Sequence, residues 1–201
     1  MALLSGFVSR AILALIATLL ISGCKAPWSR PPLAVDLQDL CLKSRLKPDA
    51  FFPLAQKMDG LKETNSGVAP DGLERSATWT HRIDGHAALV AFSSRPAGAG
   101  VAARSSCLLS DFQDRGASID WLSRWTGSKI PNRHWGAYYL AVADGQARLF
   151  AVPNTAAPPP PEASGDVYVL MVDSDRDKTT ITLGRSSSWW PSMVRAPLTP
   201  P

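Results

Sequence analysis

Two Asp-Gly pairs constrain this chain more than any other feature, because each is flanked by runs in which apolar and polar residues alternate. Ala77, Trp79, His81 and Ile83 alternate with Thr78, Thr80 and Arg82 up to Asp84-Gly85, and a return run spans roughly 86–93. Strand side chains alternate between two faces, and Asp-Gly suits the left-handed backbone of a two-residue hairpin turn. The second pair, Asp144-Gly145, lies within Trp135 to Val152 and sets Tyr138, Leu140, Val142, Leu149 and Ala151 on one face. A third hairpin is read from Val167 to Val172 and Thr179 to Leu183, and a further strand from Arg104 to Leu109. Residues 62–76 are polar and read as a loop. The proline-rich stretch 153–165 cannot join a central strand and reads as an excursion loop.

Helical spacing appears in three places. Asp36 reads as an N-cap ahead of Leu37, Leu40, Cys41 and Ser44 on one face, a helix that Pro48 interrupts. A second short helix is expected from about Phe52 to Met58, with Pro53 in its first turn. A third is expected to be capped by Ser118, to carry Ile119, Trp121, Leu122 and Trp125, and to stop at Gly127. Hairpins with a few helices imply an α+β domain: an antiparallel sheet of about five to seven strands, with two or three short helices packed on one face. Hydrophobic residues at 45% are enough for a core.

The N-terminus bears on location. Behind Arg10, the eleven apolar residues from Ala11 to Ile21 would span about 16 Å as a helix, too short to cross a bilayer but suited to a signal peptide. Ile21-Ser22-Gly23-Cys24 follows and resembles the lipobox of bacterial lipoproteins. The alternatives are an ordinary secretory signal and an uncleaved anchor. The resemblance implies a signal peptide over 1–23, cleavage before Cys24, and acyl chains on that cysteine that hold the chain on a cell-envelope membrane, facing the periplasm. Lys25 in place of Asp favours the outer membrane over the inner under the sorting rule of enteric lipoproteins. Residues 24–33, rich in proline, then read as a tether, 34–190 as a single domain and 191–201 as a proline-rich tail.

With Cys24 acylated, Cys41 and Cys107 remain. In an oxidising compartment such a pair most simply forms a disulfide; the alternatives are free thiols or a metal site, which would need further ligands, and none stand at zinc-like spacing. The formal charge is +4 with the basic residues dispersed, which sets nucleic-acid binding aside.

Sites are sparse. Asp173, Asp175 and Asp177 alternate as calcium ligands do, yet Lys178 stands where the EF-hand turn needs glycine, and a plain acidic turn explains them equally. His81 and His86 fall on one face as diagonal neighbours, open to a surface metal or to ordinary packing. Ser44-Arg45-Leu46-Lys47 matches the S-x-x-K pattern of penicillin-recognising enzymes without its companion motifs. Trp189 and Trp190 are adjacent, so in a strand one of them would face away from the core, as a docking residue or as packing. No catalytic residue and no cofactor is assigned. The expected function is a membrane-anchored, non-enzymatic module that binds an envelope protein; the alternative is a small periplasmic hydrolase or peptidoglycan-active enzyme.

Overall fold

The computed structural model describes residues 30–70, 72–83, 85–98, 102–131, 135–152, 159–175 and 177–185. Helix α1 (Pro32–Val35) runs directly into a π-helical segment, Asp36–Leu42, and α2 spans Pro48–Lys57. Strands β1 (Leu61–Val68), β2 (Arg75–Ile83), β3 (His86–Arg95) and β4 (Arg104–Asp111) follow. After α3 (Ala117–Thr126) come β5 (Trp135–Ala143), β6 (Gln146–Ala151), β7 (Asp166–Ser174) and β8 (Thr179–Arg185). All eight strands form one antiparallel sheet in the order β1-β2-β3-β4-β8-β7-β5-β6.

The α+β class and the hairpins are as expected, but the sheet exceeds the five to seven strands anticipated. The eighth is β1, within the stretch read as a loop. Its residues are nearly all exposed, so no apolar alternation marks it, and a register shift between Glu63 and Asn65 kinks it. Both hairpin registers agree with the Asp-Gly reading: Ile83 pairs with His86, and Ala143 with Gln146. Asp144 and Gly145 have φ of 51° and 77°, the left-handed pair that a type I′ turn requires.

The helix boundaries differ more. Asp36 is not an N-cap: the helix starts at Pro32, whose missing N–H costs nothing at the first position. Leu33 and Ala34, at the expected junction of tether and domain, are core residues. Pro48 does not merely interrupt the first helix but occupies the same starting position in α2. Nor is Ser118 a cap. Gly116 stands at the cap position, and the Asp114 carboxylate ahead of it accepts hydrogen bonds from the Ser118 N–H and hydroxyl.

Cross-strand pairing lines up the buried side chains in rows. One row reads Ala77, Phe92, Cys107, Leu183 and Leu170; the next reads Trp79, Val90, Leu109, Ile181 and Val172. The last reads His81, Ala88, Asp111, Thr179 and Ser174, at one end of the sheet. Phe51 of α2 stacks on Phe92 with ring centroids 4.0 Å apart and also touches Trp79 at 5.5 Å. Leu33, Leu37, Leu40, Ile119 and Leu122 join the same core.

Cys41 and Cys107 form a disulfide that fastens the π-helical segment to β4, with a Cα–Cα distance of 6.0 Å. It closes a loop with a sequence separation of 66. Chain entropy for such a loop corresponds to about 4 kcal/mol. A Cys41→Ser/Cys107→Ser protein should therefore unfold at lower urea than the oxidised wild type, with a loss approaching that figure, as read by circular dichroism.

Candidate functional site

The helix over residues 32–42 lies on the sheet with two polar or covalent attachments. In a π-helix each N–H bonds the carbonyl five residues back, so residues five apart come to share a face. The Lys43 N–H bonds the Gln38 carbonyl in this way. Asp36 and Cys41 are five apart, and both reach the sheet: Cys41 meets Cys107, and Asp36 meets His81.

His81 is 2% exposed and Asp36 fully buried. The His81 Nδ1 lies 2.5 Å from the Asp36 Oδ1, and Nε2 lies 3.0 Å from the Asp59 main-chain carbonyl. A carbonyl only accepts, so Nε2 carries a hydrogen. One further proton sits between Nδ1 and the carboxylate, and the pair is neutral overall whichever atom holds it. Gly60 makes this possible. Its φ of 78° turns the chain just after Asp59, and a Cβ there would come 2.5 Å from the Arg82 carbonyl.

Burial by itself lowers the pKa of the His81 imidazolium, but the bond to Asp36, its charge and the Asp59 carbonyl together outweigh burial and leave it raised. Burial raises Asp36; the bond and charge of His81 oppose this, and Asp39 and Asp111 add to the rise. With both ring nitrogens engaged, His81 is a structural histidine and not an exposed base.

Asp111, fully buried at the end of β4, accepts a hydrogen bond from the Gln113 N–H at 2.8 Å. Its other oxygen lies 4.0 Å from the Nδ1 of His86, too far for a hydrogen bond. Asp36 Oδ2, Asp111 Oδ2 and His86 Nδ1 are buried atoms without a hydrogen-bond partner among the protein groups described. The two histidines thus share a face as expected, and each is associated with a buried carboxylate. Among the described residues, no three His, Cys, Asp or Glu side chains are placed to hold a metal ion.

The acidic stretch divides between strand and turn. Asp173 is an exposed residue of β7, and the Asp175 N–H bonds the Lys178 carbonyl to close the turn that also contains Asp177. No family model, curated protein or solved structure matches the chain. Ser44 is buried at the helix end, its hydroxyl donating to the Cys41 carbonyl and accepting from the Leu46 N–H. Those bonds hold Arg45 and Leu46 at φ of 52° and 55°, a strained pair for residues with side chains. The S-x-x-K match is therefore a helix terminus, with Lys47 turned to solvent. Cys24, Trp189 and Trp190 lie outside the described residues, as does His134.

The sequence reading makes Asp36 a helix cap and passes over Asp111, although spacing marks both as buried. Asp36 is three residues from Leu33 and four from Leu40, on the apolar side, once the helix is begun at Pro32. Asp111 continues the alternation of Cys107 and Leu109 once β4 is extended.

The raised pKa of His81 has a sign that can be tested. The folded state binds its proton more tightly than the unfolded chain, whose value is about 6.5. The stabilisation is complete below that pH and is lost as pH rises through the folded value; Asp36 acts in the same direction from about 3.8 upward. Urea unfolding measured upward from pH 6.5 should show stability declining in the wild type and a flatter profile in His81→Gln. His81→Ala, which strands a buried carboxylate, should cost about 3–5 kcal/mol.

Proposed function

We propose that the chain is a bacterial envelope lipoprotein anchored through acyl groups on Cys24, and that its α+β domain binds another envelope protein without catalysing a reaction. The observation that carries this reading is the buried Cys41–Cys107 disulfide in a chain whose residues 21–24 resemble a lipobox. Structural disulfides belong to oxidising compartments, and a lipidated, exported chain would fold in one.

The directions of the first helix and last strand add support. The helix bearing Asp36 and Cys41 advances from the His81 row toward the Cys107 row, so the chain enters at the His81 end of the sheet. Strand β8 runs the same way along these rows, from Thr179 to Arg185, and ends beyond the Cys107 row. A domain tethered through Cys24 thus has its lipid at one end, while the segment bearing Trp189 and Trp190 departs from the other. Adjacent tryptophans offer large apolar area at low entropic cost, which suits a protein contact. An outer-membrane residence follows from Lys25 under the enteric sorting rule.

Two measurements test this. Metabolic labelling with a palmitate analogue should mark the wild type and not Cys24→Ser, and an unlabelled wild type would refute the anchor. In-cell cross-linking should recover one or two envelope proteins near stoichiometric yield, with recovery lost in Cys24→Ser and reduced several-fold in Trp189→Ala or Trp190→Ala. Equal recovery in both tryptophan variants would remove those residues from the contact.

A further inference from the structure

Among the described residues, four large hydrophobic side chains are exposed: Val68, Leu73, Phe112 and Trp135. The two aliphatic ones lie in or beside β1–β2, at the end where Val68 pairs with Arg75. The two aromatic ones lie at the opposite end. Phe112, 59% exposed, directly follows Asp111, and Asp111 pairs with Thr179 in the His81 row. Trp135, 57% exposed, opens β5 and pairs with Asp173, next to Ser174 of that row. Three strand spacings, from β4 through β8 and β7 to β5, separate their strands by about 14 Å. The β7–β8 turn lies between them, and the Lys178 ammonium sits 5.0 Å from the Phe112 ring centroid.

The chain enters the domain at this same end. The step from Cys24 to Arg30 is six residues, which can reach no further than about 20 Å. A lipid on Cys24 therefore restrains this rim close to the bilayer surface. Exposed aromatic rings suit the membrane interface: tryptophan satisfies an apolar face and a polar N–H in the headgroup region, and phenylalanine inserts its apolar ring. Asp173, Asp175 and Asp177 on the same rim outnumber the two cations of that stretch, Arg176 and Lys178, and so oppose attraction to anionic lipid.

We propose that Phe112 and Trp135 form a second contact with the membrane, seating the His81 end of the sheet in a zwitterionic headgroup layer. This rests on the lipid-anchor reading and adds an orientation to it: the sheet stands with its strands pointing away from the bilayer and the Arg185 end outward. The contact is driven by ring insertion, so added anionic lipid does not strengthen it and salt does not dissolve it.

The test uses the full lipidated chain, carrying Trp28→Phe to silence the residue beside the anchor, in phosphatidylcholine vesicles with acyl chains brominated near the carbonyl. Bromine quenches tryptophan emission at that depth. Trp135→Phe should lose a quenched component that Trp121→Phe retains, and Phe112→Ser should reduce quenching with Trp135 still present. Adding phosphatidylglycerol or 0.5 M salt should leave the quenching unchanged to about the level expected for uncharged contacts. Protein that floats with the vesicles while Trp135→Phe loses no quenched component overturns this contact and leaves the anchor standing. Protein that does not float overturns the anchor and this inference with it. Quenching that rises with phosphatidylglycerol and falls with salt would replace ring insertion by charge attraction.

Discussion

One helix lying on the sheet is fastened at both ends, and the arrangement of everything above the sheet depends on it. Toward its C-terminal end a disulfide joins Cys41 to the middle of β4. Near its start the Asp36 carboxylate meets the His81 ring on β2. One link is covalent and the other is a proton held between two buried groups. Between them Leu37 and Leu40 are pressed into the core. The π-helical winding brings two residues five apart onto the same side, so both attachments are made without bending the helix away from the strands.

That pairing has a cost as well as a benefit. A buried ionisable pair adds less net stability than apolar residues of similar shape would, but losing one partner is severe. What the pair adds is register. A helix held only by leucines could slide along the apolar rows, whereas Asp36 has its hydrogen-bonding histidine at a single place. His81 is itself fixed from below by the Asp59 carbonyl, which Gly60 turns toward it. The polar groups at this end, together with the disulfide at the other, therefore specify where the helix sits, and the apolar rows supply the burial.

The hairpins were legible from sequence because their signals are local. Alternation and an Asp-Gly turn lie within about twenty residues, and the registers at Ile83–His86 and Ala143–Gln146 follow from them. The disulfide was legible by elimination. Strand β1 was not, since an edge strand with both faces wet has no reason to alternate. Asp36 was misplaced for a different reason: an aspartate ahead of an apolar run has the composition of a cap, and only tertiary contact with β2 shows that it is inside. The sheet order was beyond local reading too, because the β4–β8 pairing joins residues as far apart as Ser105 and Arg185.

That last pairing governs the order in which the molecule can be completed. Strands β1 to β4 form a continuous meander, and the disulfide closes entirely within residues that precede α3. Strands β5 to β7 come next, yet neither group touches the other through the sheet until β8 arrives between β4 and β7. Strand β8 is thus the keystone of an arch whose two sides are made first. A chain emerging N-terminus first holds the β4 edge open from residue 112 until β8 is made, and the β7 edge only across the turn between Ser174 and Thr179. Both edges vanish together when Thr179–Arg185 slots in.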